Sequence, residues 1–149
     1  MVKDKKIKSK NVVLASDHAG FKLKEEIKKF LIKKKRKVLD LGTTNVSSVD
    51  YPDYAHLLSR KIKNNKNQLG ILICGSGTGM SMAANKHKNI RAALCYDTKS
   101  AKLSRLHNNA NVMTIGSRLT KKKVALKCVD TFLNTNFYGG RHARRVKKI

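Results

Sequence analysis

A cysteine closes an apolar run and opens a glycine loop: residues 70–86 read GILICGSGTGMSMAANK, with Cys74 followed by Gly75, Ser76, Gly77, Thr78 and Gly79. A glycine loop that leads into a helix presents unpaired backbone N–H groups and the positive end of the helix dipole, so it receives negative charge. A nucleotide P-loop would need Gly-Lys-Ser/Thr next, and none follows. A dinucleotide fingerprint would need a third glycine where Met80 stands, although Asp97 lies at a suitable distance for a ribose partner. A further chemistry uses the thiol. At a strand end beside a helix N-terminus, its pKa is expected to fall from about 8.5 toward neutrality. Such a thiolate could take a proton from a carbon next to a carbonyl, while the loop amides hold the resulting oxyanion. A tight strand–helix turn with no ligand is the plain alternative.

Other residues suit the same chemistry. Asp17 and His18 stand together in SDHAG, where Asp17 could equally cap the next helix. His107 and Asn108 fall in SRLHNN, although a lone helical histidine is more often structural. Arg118 follows IGS, and Arg141 and Arg145 are four apart, hence on one helix face. That pair could grip one phosphate or form a solvated face. Together these residues supply a base, an oxyanion hole, a proton shuttle and a phosphate clamp, a set suited to a small phosphorylated carbonyl compound. Cys95 and Cys128 read as small buried hydrophobes.

The elements that must position these groups follow from pattern. Strands are expected over 11–16, 37–42, 70–74, 90–96 and 111–116. Phe21, Leu23, Ile27, Phe30 and Leu31 form one helical stripe, and Ala55, Leu58 and Ile62 another. Further helices should begin near Gly79, Thr98 and Thr120, with a short one in the tail after two glycines. This alternation predicts an α/β fold: a three-layer, Rossmann-like single domain with a five-stranded parallel sheet. Ligands of such sheets bind at the carboxyl edge where strand order reverses. If the first and third strands flank that point, the loops after Ser16 and after Cys74 lie side by side.

Composition bounds the rest. The chain has 149 residues, a formal charge of +25 and 5% aromatics. The lysines are spread along it, which argues against a nucleic-acid partner and toward steering of an anionic ligand. The run KKKRK at 33–37 is expected to be a solvated helix end before a strand. No apolar run approaches about 18 residues, and the apolar segment after the basic N-terminus is too short for a signal peptide, so a cytoplasmic protein is expected. Three cysteines without CxxC spacing suggest neither a disulfide framework nor a zinc site. Residues 1–10 read as a basic, disordered extension, and 11–149 as the functional domain with its C-terminal helix.

The segments ASDHAGFKLKEEI, DLGT…DYPDYA, ILICGSGTGMSMAANK, IRAALCYD…SAKLSRLHNNANVMTIGSR and YGGRHARRV occur in order and span about Val12 to Val146. In this combination the chain resembles the ribose-5-phosphate isomerase B family, which shares its fold with galactose-6-phosphate isomerase subunits. The resemblance implies an aldose–ketose isomerase that interconverts ribose 5-phosphate and ribulose 5-phosphate through an enediolate, without metal or cofactor. A six-carbon sugar phosphate is the alternative substrate. Cys74 stands where cysteine-type members keep their base. Members that use glutamate carry it directly after the last loop glycine, and Met80 occupies that position here. The resemblance gives Ser76 an assisting hydroxyl and makes the amides of Gly75 to Gly79 an anion hole. Asp17 and His107 match ring-opening residues, and Asn108 a contact to substrate oxygens. His18, Arg118, Arg141 and Arg145 match the phosphate-facing set, and Tyr51 lines the pocket. Family sites are shared across subunits, so a homodimer or homotetramer is implied.

Overall fold

A computed structural model describes residues 10–149. The disorder expected of the N-terminal extension therefore lies outside the described residues, except at Lys10. Eleven elements follow in order. They are β1 (Asn11–Ser16), α1 (Phe21–Lys33), β2 (Val38–Asp40), α2 (Tyr51–Ile62), β3 (Gln68–Cys74), α3 (Thr78–Ala84), β4 (Ala92–Leu94), α4 (Thr98–Asn108), β5 (Val112–Gly116), α5 (Lys122–Leu133) and α6 (Arg141–Val146). The strands form one sheet in the order β2-β1-β3-β5-β4, every pairing parallel. β1 and β3 are neighbours, so the expected reversal of strand order falls between them.

Period-two alternation divides the strand residues between two cores. Val12, Leu14, Ile71 and Ile73 face α1 and α5, where Ile27, Leu31, Val129 and Phe132 cover them. Val13, Ala15, Leu72 and Cys74 face the other side, against Ala55, Leu58 and Ile62 of α2 and Met80 and Ala84 of α3. The thiol thus belongs to the α2/α3 layer by strand periodicity alone. Cys95 and Cys128 fall in the opposite core, where burial pushes their thiols up to about 12 and about 11. They are inert packing groups, as expected.

β2 and β4 are three residues each, shorter than the expected 37–42 and 90–96. Both are edge strands with a partner on one side only, so their flanks leave the ladder where pairing stops. α2 begins at Tyr51 with Pro52 in its first turn, where a missing N–H costs nothing. Asp97 accepts from the Ser100 amide at 2.6 Å in a capping box for α4, so the residue at the ribose-partner spacing is occupied in capping. The basic run after α1 is a helix end, as expected. There Lys34 pairs with Asp130 at 3.0 Å and Arg36 donates to Asn134 at 2.8 Å, tying the turn to α5.

One side chain breaks the burial rule. Lys24 is 1% exposed on α1, and its ammonium donates to Asp40 at 2.6 Å and Glu25 at 2.9 Å. Lys28 joins the same carboxylates at 2.8 and 3.1 Å, which balances two cations against two anions. Burial alone would raise the Asp40 pKa, but the two lysines and the Gly42 amide hold it below the ordinary value. Asp40 in turn fixes Gly42, whose carbonyl accepts from the Ser16 amide at 2.8 Å. The cluster therefore anchors the loop after β2 to the end of β1. Lys24→Ala should cost about 3 kcal/mol at pH 7, because it strips a buried charge partner. The Asp40 pKa is depressed in the fold, so its contribution is present above about pH 4 and lost below it. Urea unfolding at pH 7 and pH 3 should show a large gap between variant and parent closing on acidification.

Candidate active site

The loops that follow β1, β3 and β5 meet at the carboxyl edge of the sheet. The Asp17 amide donates to the Ile73 carbonyl at 3.2 Å, and the Ser117 amide to that of Cys74 at 2.8 Å. Ser117 Oγ donates to the Ala19 carbonyl at 2.8 Å, and the Arg118 amide to the Gly75 carbonyl at 3.0 Å. Between them lies a cleft of about 410 Å³ lined by Asp17, His18, Tyr51, Cys74, Gly75, Ser76, Gly79 and Arg118, joined by Ala19 and Leu119. Eight of the sequence-derived site residues are thus brought together in one chain. Leu119 was not expected. It follows Arg118 in the same loop and is 74% exposed, an apolar side chain held over a polar cleft.

The glycine loop is wound around the thiol. Gly77 has φ +78°, in the left-handed region that favours glycine, and its amide donates to Cys74 Sγ at 3.1 Å. The Thr78 amide donates to Ser76 Oγ at 3.3 Å. Gly77 and Thr78 therefore shape the loop rather than line the cleft. The amides of Gly75, Ser76 and Gly79 have no protein acceptor among the described residues. They are the donors available to an oxyanion in front of the sulfur. At Gly77 a Cβ would lie 2.7 Å from the Leu94 side chain and 2.8 Å from the Ile115 backbone. Gly77→Ala should cost about 1–3 kcal/mol through backbone strain and lower turnover by at least about tenfold. Thermal melts and turnover measured on one sample check both.

Asp17 is buried, and its Oδ1 accepts from the Gly20 amide at 2.9 Å. This closes the turn into α1 but does not cap the helix, whose N-cap is Gly20 without a side-chain cap bond, and it leaves Oδ2 for the cleft. His18 Nδ1 accepts from the Val49 amide at 3.1 Å, which fixes the orientation of the ring. The loop after β2, anchored by Lys24 and Asp40, thereby orients a cleft histidine. Sequence had no signal for this pairing, since 31 residues separate the two.

The remaining four residues lie elsewhere. α4 starts at the carboxyl edge and returns, so His107 and Asn108 at its end reach the amino edge of the sheet, about 16 Å of helix away. The tail docks there through the Tyr138 amide, which donates to the Leu106 carbonyl at 3.1 Å. His107 stacks on His142 with ring centroids 4.3 Å apart. One cavity of about 550 Å³ is lined by His107, Tyr138, Arg141 and His142, and another of about 380 Å³ by His107, Asn108 and Arg145. Burial and the neighbouring His107, Arg141 and Arg145 push the His142 pKa below its ordinary value. His142 was missed from sequence, although it stands beside Arg141 in the same short motif. The chain thus carries two separated half-sets of the expected groups.

The family model for ribose/galactose isomerases matches residues 12–149. The chain belongs to the ribose/galactose isomerase family. Within this family it is 42% identical over 140 residues to ribose-5-phosphate isomerase B of Escherichia coli, covering 94% of each chain. It is 50% identical to a probable ribose-5-phosphate isomerase B of Mycoplasma pneumoniae, covering 93% of this chain and 91% of that one. A crystal structure of the Thermotoga maritima ribose 5-phosphate isomerase superposes with a TM-score of 0.91 at 49% identity, covering 95% and 97% of the two chains. The Mycoplasma genitalium enzyme, solved with bound ribulose 5-phosphate, gives 0.90 at 48% identity over 94% and 93%.

Proposed function

We propose that this ribose/galactose isomerase interconverts D-ribose 5-phosphate and D-ribulose 5-phosphate with Cys74 as its base. The observation that carries the reading is the thiol at the end of β3, hydrogen-bonded by its own glycine loop and open to the cleft that holds Asp17, His18 and Arg118. The Cys74 thiolate removes the proton from C2 of the open-chain aldose, and the electron pair moves onto the C1 carbonyl oxygen. The enediolate so formed is held by the free amides of Gly75, Ser76 and Gly79, with Ser76 Oγ beside it. Returning the carbon-bound proton to C1, while the O2 proton passes to O1, leaves the ketose. Asp17 Oδ2 accepts a ring hydroxyl proton, and His107 donates to the ring oxygen as the furanose opens. His18, Arg118, Arg141 and Arg145 hold the phosphate, and Asn108 and Tyr51 contact the sugar.

This assignment needs two chains. A homodimer that lays the α4/α6 end of one subunit over the Cys74 cleft of the other joins the half-sets, and two-fold symmetry makes two identical sites. Among the described residues no helix is long and apolar enough to cross a membrane, and all three cysteines are free and buried. These features fit a reducing cytoplasm.

Proton NMR of ribose 5-phosphate incubated with the protein in D₂O tests the reaction. Ribulose 5-phosphate should accumulate, with deuterium entering the carbon-bound positions at C1 and C2. Absence of both, alongside turnover of a six-carbon aldose 6-phosphate, would move the substrate to that class.

A further inference from the structure

We propose that the amino edge of the sheet carries a second anion site, separate from the cleft and built to hold a phosphoryl group of two or more negative charges. The cavity there is about 480 Å³ and lies where the strands begin. Lys10 precedes β1, Gln68 opens β3, Arg91 precedes β4, and Arg105 comes from the last turns of α4. Lys63 and Lys66 complete the wall from the end of α2 and the turn after it. Among the described residues five cations line this space and no carboxylate does.

Abundant lysine does not account for it, because the centre of the group is a buried guanidinium. Arg105 is 4% exposed. Its donors go to the Thr135 carbonyl at 3.1 Å, to Asn109 Oδ1 at 3.1 Å and to the Ala110 carbonyl, all uncharged acceptors. None of the five cations has an ion-pair partner among the described residues. Buried charges are ordinarily paired, as Lys24 is in this same fold. The consequence is visible in the neighbours: burial and Arg91 push Arg105 down to about 10, and Lys10 is lowered by burial and by Arg105.

A second observation points the same way. Gln68 Oε1 is buried with no hydrogen-bond partner among the described residues, and Gln68 lines the cavity. An acceptor left open beside five cations fits a ligand that carries a proton of its own, such as the remaining P–OH of a phosphate at neutral pH. Among the described residues the Arg91 guanidinium spends only Nε, on the Asn109 carbonyl at 2.9 Å, so its fork is available for two parallel bonds. Arginine geometry of this kind recognises phosphate better than a single-point cation does.

The test uses the full-length protein, labelled with ¹⁵N and titrated with inorganic pyrophosphate. Saturable shifts are expected at the Arg91 and Asn111 amides and at Arg105 Nε, distinct from any at the Gly75–Gly79 loop. Arg91→Gln should weaken that site at least tenfold. The exposed double variant Lys63→Gln/Lys66→Gln, which spares the core, should weaken it about fivefold or more. Both should keep isomerase activity within about twofold of the parent. Shifts confined to the Cys74 loop would overturn the proposal. So would an equal loss in the control Lys33→Gln/Lys35→Gln, since that would mean diffuse attraction to the charged surface.

Discussion

Cys74→Ala is expected to reduce kcat for ribose 5-phosphate by about 10³-fold or more, the range removed with a general base, and to leave KM within a few fold. The two parameters separate because the thiol touches only the reacting carbon. His18 and Arg118, the proposed phosphate ligands, are held by contacts that do not involve the sulfur: Val49 for His18 and the Gly75 carbonyl for the Arg118 backbone. The substitution removes a single atom, though a buried one that accepts from the Gly77 amide. A melting temperature near that of the parent would confirm that the loss is chemical. Deuterium exchange at C2 should vanish together with turnover. Residual turnover within tenfold of wild type would remove the base assignment and leave the glycine loop as an anion hole served by another group.

The second large effect concerns which chain supplies what. His107→Ala should lose most activity toward the furanose form, because it deletes the proposed proton donor for ring opening. Co-expressing Cys74→Ala with His107→Ala should then restore about a quarter of wild-type activity, because half of the dimers are hybrids and each hybrid has one intact site. Either variant alone, or the two purified separately and assayed without subunit exchange, should stay inactive. A site contained in one chain would give no recovery under any mixing protocol. The expectation comes from direction: α4 leaves the carboxyl edge at its Asp97 cap and delivers His107 at the amino edge, where it stacks on His142 of the docked tail. Activity assays across dilution should likewise fall below the dissociation constant of the dimer.

Much of this architecture is legible in the residues. The apolar runs name the strands, the stripe of Leu23, Ile27 and Leu31 names the covered face of α1, and Cys74 before three alternating glycines marks the cleft. What escaped reading depends on partners distant in the chain. Lys24 looks like any other lysine on a helix, because Asp40, which justifies its burial, stands on another element 16 residues away. The edge strands were read too long because an extended segment keeps its apolar pattern after its hydrogen-bonding partner has ended. Asp97 stands directly before the expected helix start at Thr98, but only the reciprocal bonds with Ser100 show that it caps the helix. The cationic cavity takes its residues from the beginnings of separate elements, so no stretch of sequence contains it.

The alternation along β3 has a consequence for how such a chain can change. Ile73 packs under α1 and α5, while Cys74 faces α2 and α3. Deleting or inserting one residue within β3 would still leave an apolar strand able to pair with β1 and β5. It would nevertheless turn the thiol into the wrong layer, away from the amides that wait for the oxyanion. Loop lengths around the molecule can drift, but the parity of this strand cannot. The reactive atom is addressed by odd and even positions, so the smallest tolerable change in the length of β3 is two residues.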